Sequence, residues 1–157
     1  MARQNPDTET EARKEEKSSL YLRMQVPSHP RYVNLIRDIV YNFCREHEIS
    51  RARSFEVKVV CGEALNNIIE HVYEGRTDRP VFLELYAYSS FVEMRIRDLG
   101  EQKPITSDMA RDLSDYRERG LGLFLIGKLS DYHYFDQSGE RGTQLIVKKR
   151  IQDPTSS

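Results

Sequence analysis

Cys61-Gly62-Glu63-Ala64-Leu65-Asn66-Asn67-Ile68-Ile69-Glu70-His71 is the stretch on which the fold turns. Val57, Val60, Cys61, Ala64, Ile68 and Val72 recur through it at three- and four-residue spacing, the period of one apolar helix face. On a neighbouring face Glu63, Asn67 and His71 stand at i, i+4 and i+8, so a carboxylate, a carboxamide and an imidazole rise along one stripe with a drift of about 40° per step. Such a stripe suits a magnesium nucleotide. The Asn67 carbonyl oxygen is a hard ligand for Mg²⁺, an ion that keeps several waters and takes few protein ligands beside phosphate oxygens. Glu63 could accept a proton from an attacking hydroxyl, and His71 could donate to a phosphate. An isolated E-x-x-x-N is far more often a solvated helix face, so its meaning depends on its companions.

Three later fragments are those companions. Asp98-Leu99-Gly100 ends the alternating run Phe91-Val92-Glu93-Met94-Arg95-Ile96-Arg97, which places an aspartate where a strand gives way to a glycine turn. A carboxylate there can accept the exocyclic amine of adenine. Gly120-Leu121-Gly122-Leu123 opens a second apolar helix, whose free N–H groups and positive dipole end favour phosphate. Gly142-Thr143 begins the last strand, with a hydroxyl able to bond the base directly or through water.

The order and spacing of these four pieces resemble the nucleotide-binding boxes of the GHKL ATPase superfamily, and within it the chain looks most like the bacterial anti-sigma-factor serine/threonine kinases. The similar segments are Gly62–Asn67 with Glu70-His71-Val72-Tyr73, and Arg119–Ile126 with Leu129-Ser130-Asp131. The resemblance runs from about Leu20 to about Lys149. It implies Glu63 as general base, Asn67 as magnesium ligand, Asp98 with Gly100 as the adenine site, Arg119, Gly120, Leu121, Gly122 and Leu123 as the phosphate lid, and Thr143 near the base. ATP and Mg²⁺ are the implied cofactors. The implied partners are a sigma factor or similar regulator, an antagonist protein with a phosphorylatable serine or threonine, and a second copy paired through the first strand and helix. The chain departs from many superfamily members in having Glu101-Gln102 where a second glycine often follows the D-x-G.

The expected fold is α+β: a two-layer sandwich with a mixed, mostly antiparallel sheet and three main helices on one face. At 157 residues, 38% hydrophobic and 31% charged, the chain is material for one domain with a real core. A net charge of −1 and the lack of a long basic run argue against nucleic acid as a direct partner. Residues 1–19 are charged and polar and are expected to be a disordered tail, 20–150 the ATP-binding domain, and 151–157 a second short tail. With no signal peptide or membrane span in the sequence, a cytoplasmic setting is expected. The two cysteines, Cys44 and Cys61, fall at apolar helical positions without metal spacing and read as reduced, buried thiols.

Leu20 to Val26 alternates as a half-buried strand ended by Pro27, and Val33, Ile36, Ile39, Val40 and Phe43 give the next helix its stripe. A further helix is expected from about Ser50 to Tyr73 with Gly75 as its stop. Pro80–Tyr88 and the strand ending at Asp98 read as a hairpin through Ser89-Ser90, and Tyr132–Phe135 with Thr143–Lys149 as the closing strands around Ser138-Gly139. Between Glu101 and Arg119 the pattern fades into an expected lid loop, with one helical turn at Met109–Leu113 and Arg111, Arg117 and Arg119 available either to clamp phosphate or to solvate the loop.

Phosphoryl transfer needs positioning and charge neutralisation more than covalent chemistry. No helical hairpin bearing a phosphoacceptor histidine accompanies the domain, so the expected acceptor lies in another protein. The alternative is an ATP-dependent partner-binding switch without kinase activity. A plain scaffold would leave Asn67, Asp98 and the lid glycines unexplained.

Overall fold

The computed structural model of the chain describes residues 21–104 and 118–152. Five strands form one sheet: β1 (Tyr21–Pro27), β2 (Pro80–Ala87), β3 (Phe91–Arg97), β4 (Tyr132–Asp136) and β5 (Gln144–Arg150). Their order across the sheet is β1-β2-β3-β5-β4. Each described pairing is antiparallel, so the mixed character anticipated above is absent among these strands. The register lines up Leu22, Leu85, Met94 and Val147 in one row and Leu83, Ile96 and Leu145 in another.

Strand alternation turns those rows inward. Val81, Leu83, Leu85 and Ala87 of β2, Val92, Met94 and Ile96 of β3, and Leu145 and Val147 of β5 are buried on the same face. Against it lie α1 (Val33–Glu46), α2 (Arg51–Asn67) and α3 (Glu118–Leu129). Val33, Ile36, Val40 and Cys44 of α1, Val57, Val60, Cys61, Ala64 and Leu65 of α2, and Ile126 of α3 complete one core with the sheet. Periodicity of 3.6 against periodicity of 2 thus yields the two expected layers.

Local chemistry sets the helix ends. Ser50 caps α2 through its hydroxyl, which accepts from the Arg53 N–H at 3.2 Å. Beyond Asn67 the helix does not run on regularly to Tyr73. Ile68–Val72 forms a wide π-type turn, with the Tyr73 N–H bonded to the Ile68 carbonyl. Gly75, at φ +79°, then closes the helix by donating to the Ile69 carbonyl.

At the other side of the layer, the buried Lys149 joins three elements. Its ammonium donates to the Leu129 carbonyl at the end of α3 and pairs with Glu56 of α2. The expected helical turn at Met109–Leu113 and the arginines Arg111 and Arg117 lie outside the described residues, as do the tails except Ile151 and Gln152. Among the described residues no helix is long and apolar enough to cross a membrane.

Candidate functional site

The centre of the site is a carboxylate at the end of β3. Asp98 is 3% exposed, and its Oδ1 accepts the Gly100 N–H at 2.9 Å. Burial raises its pKa above the ordinary value, while backbone N–H groups of Gly100 and Thr143 oppose the rise by favouring the ionised form. The Asp98 N–H in turn donates to the Thr143 carbonyl. Asp98 and Thr143 are therefore neighbours on adjoining strands, as the sequence fragments require.

Two glycines make this proximity possible. Gly142 sits at φ +78°, and a Cβ there would come within 1.9 Å of the Asp98 carbonyl oxygen. Its N–H bonds the Gly100 carbonyl at 2.9 Å. A Cβ on Gly100 would strike Val72 Cγ1 at 2.2 Å. The D-x-G turn is held from outside by Tyr73, whose hydroxyl accepts the Leu99 N–H at 2.8 Å and donates to the Pro80 carbonyl at 2.7 Å.

From Asp98 a cavity runs between sheet and helices. Ala64, Asn67, Ile68 and Val72 of the α2 segment, Ile96 and Leu145 of the sheet, and Leu123 and Ile126 of α3 line it, joined by Asp98, Thr143, Glu101, Lys103, Phe135 and Gln137. The walls are apolar and the few polar groups converge, the usual make-up of a small-molecule site. Near the helix end stands Gly122, which is buried. A Cβ on it would meet Glu63 Oε2 at 3.0 Å and the Asn67 carboxamide at 3.6 and 3.7 Å. The first helix of the quoted stretch and the glycine-rich helix α3 are thus in contact at the residues singled out.

Not every expected residue joins them. Asn67, Asp98, Leu123 and Thr143 line the cavity, and Gly100 abuts its lining residue Val72; Glu63 and Gly122 are not among the lining residues and meet beside Asn67. Gly120 and Gly122 lie in the first two turns of α3, which begins at Glu118, and Leu121 is 55% exposed. The Arg119 side chain lies outside the described residues. His71 is not among the lining residues: it stands in the wide turn, its Nε2 4.0 Å from the Glu70 carboxylate. The wide turn changes the angular step after Asn67, so the regular i+4 spacing does not carry on to His71.

Sequence reading also missed members. Lys103 and Gln137 sit in loops with no periodic signal, and they reach the cavity through bonds to residues more than thirty positions away. The only hint was compositional, Glu101-Gln102 in place of a glycine. Gln102 Nε2 lies within hydrogen-bond reach of the carbonyls of Gln137, Gly139 and Gly142, which share its two hydrogens and lace the loop after β3 to the loop between β4 and β5.

Chemically, the arrangement joins an apolar cavity with a buried carboxylate in its wall to a carboxylate and a carboxamide, Glu63 and Asn67, near the helix end. Residues 26–149 match the family profile of the histidine kinase-like ATPase domain, and the chain belongs to that family. It is 27% identical over 140 residues to serine-protein kinase RsbW of Listeria monocytogenes, covering 83% of this chain and 87% of that one. Over 100 residues it is 27% identical to the anti-sigma F factor of Bacillus licheniformis, covering 61% and 68%. Two solved structures share the fold at 13% identity. The RsbU and RsbW domains of a Mycobacterium tuberculosis protein superpose at TM-score 0.64 over 85% of this chain and 32% of that one. The SiaB–SiaC complex of Pseudomonas aeruginosa gives 0.61 over 90% and 95%.

Proposed function

We propose that the chain is an ATP-dependent serine/threonine protein kinase of the anti-sigma-factor type, which binds Mg-ATP, sequesters a sigma factor or similar regulator, and phosphorylates a serine or threonine of an antagonist protein. The observation behind this reading is the meeting of Glu63 and Asn67 beneath Gly122, at one end of a cavity that has Asp98 in its wall. The relatives named serine-protein kinase and anti-sigma factor support it from outside the structure.

The residues present suit an adenine nucleotide. Asp98 accepts the base amine, Ile68, Val72, Ile96 and Leu145 enclose the ring, and the bare Cα positions of Gly100 and Gly142 leave the turn its close approach. Asn67 offers one carbonyl ligand to a magnesium ion, which neutralises phosphate charge when bound. Among the described residues no cluster of three or more His, Cys, Asp or Glu surrounds it, so Asn67 acts with phosphate oxygens in this scheme. Glu63 takes the proton of the incoming hydroxyl, and backbone N–H groups at the start of α3 hold the phosphoryl oxygens. Pairing of two copies through β1 and α1 belongs to the same proposal.

Transfer of label from γ-labelled ATP to a purified antagonist protein tests it. Wild-type protein should phosphorylate a single serine or threonine, and Glu63→Gln should lower the rate by about 10²–10⁴ while binding ATP normally. ATP binding without transfer by the wild type would instead assign a nucleotide-dependent binding switch.

A further inference from the structure

The outer side of the D-x-G turn is ringed by arginines. Two clefts of about 270 and 280 Å³ meet there at Leu99, which lines both. Arg76, Arg79 and Arg141 line the first, and Arg95 and Arg97 line the second. The first shares only Val72 and Glu101 with the nucleotide cavity, and the second shares nothing with it. Arg79 is loosely paired with Asp78 at 3.8 Å, and Arg95 is closely paired with Glu93. Arg76, Arg97 and Arg141 are exposed and make no ion pair among the described residues.

This face is built in advance of any partner. The buried Ser28 holds the loop that carries two of the arginines: its hydroxyl donates to the Arg76 carbonyl at 2.5 Å and accepts the Arg79 N–H at 3.1 Å, while its own N–H donates to the Arg79 carbonyl at 2.7 Å. Arg97 is fixed on β3, paired in register with Phe82 and Gln144. Each cleft is smaller than an ordinary ligand pocket, so the pair suits successive side chains of an extended segment better than one small molecule. Guanidinium forks take carboxylates in bidentate fashion, and the half-buried Leu99 and Phe82 offer an apolar seat between them. Glu74, Glu84 and Glu101 stand among the arginines. A continuous phosphate chain would meet those carboxylates, whereas a peptide can space its acids to avoid them. We propose that this face docks an extended acidic segment of a partner protein, with carboxylates on Arg97 and Arg141 and an apolar side chain on Leu99 and Phe82. Such docking stands apart from the nucleotide reading and needs no nucleotide bound.

Fluorescence anisotropy of a labelled peptide that alternates acidic residues with leucine, titrated with the full chain, tests the face. Wild-type protein should bind it, more weakly as salt rises. Serine in place of the peptide's leucines should weaken binding as well. Arg97→Gln with Arg141→Gln should weaken it by about tenfold or more, whereas Arg51→Gln with Lys128→Gln, which takes the same charge from exposed positions of the helical layer, should change it by less than about twofold. Arg97→Glu with Arg141→Glu should lose this peptide and bind its lysine-for-acid counterpart, a gain that an unfolded variant does not show. Equal losses in the two glutamine pairs would reduce the effect to net charge and overturn the proposal, as would no binding by the wild type. An oligothymidylate that binds the wild type as tightly, and is lost to the same extent in Arg97→Gln with Arg141→Gln, would overturn it in favour of a nucleic-acid face.

Discussion

Asp98 shows how a single buried residue binds the account to measurable chemistry. Burial lifts its pKa above the ordinary 3.8, so between the two values the folded chain holds a proton that the unfolded chain has released. The unliganded fold therefore loses stability as pH rises through that window. Nucleotide affinity should do the opposite, because the base amine requires the carboxylate: binding should be steady near neutrality and weaken on acidification with a midpoint above 3.8. Titrations of ATP across pH check this, and a midpoint at or below the ordinary aspartate value would contradict the assignment. Gly100 offers a steric counterpart. Gly100→Ala pushes Val72 into the cavity, a clash of the kind that costs about 1–3 kcal/mol, and should weaken ATP binding. Gly100→Ala with Val72→Ala should recover most of it. At this scale the sequence was informative wherever a residue type is rare in its setting, such as an aspartate ending an apolar strand. It was silent on Gln137 and Lys103, because a bond spanning 34 positions leaves no local pattern.

Among the elements, the hairpin of β2 and β3 and the helices α1 and α2 were legible from periodicity, since one face of each must reach the same core. The π-type turn at Ile68–Val72 was not. Its residues keep an apolar spacing that a regular helix would also satisfy, and it holds no glycine or proline to mark the break. His71 lies within that turn and is not among the residues lining the cavity. His71→Ala should consequently leave ATP affinity within about twofold, whereas Asn67→Ala should abolish its magnesium dependence; a large His71 effect would return that residue to the site. The β5 entry makes a second prediction. Gly142→Ala must adopt a positive φ and displace the Asp98 backbone, so it should destabilise the fold by about 2 kcal/mol or more, seen as a lower melting temperature.

For the whole molecule, one core carries both the layers and the cavity, so stability and site are linked through shared residues such as Ile96 and Leu145. Leu85, fully buried between β1 and β3, reports on that core without touching the cavity: Leu85→Ala should cost about 2–5 kcal/mol in urea unfolding. Cys44 and Cys61 are pushed up to about 12 by burial, which keeps them as neutral thiols, and neither should react with a thiol reagent until the chain unfolds. The two-layer architecture was readable in advance because α1, β1, β2 and β5 each have a single apolar face to hide. The order of the strands across the sheet was not, because register and strand order depend on contacts between distant segments.

Calorimetric titration of Mg-ATP into wild-type protein and into Asp98→Asn tests most directly whether the separated sequence fragments form one nucleotide site. Saturable one-to-one binding by the wild type, weakened about tenfold or more in Asp98→Asn at unchanged melting temperature, is the predicted result. Equal affinity for ATP in the two proteins would contradict it.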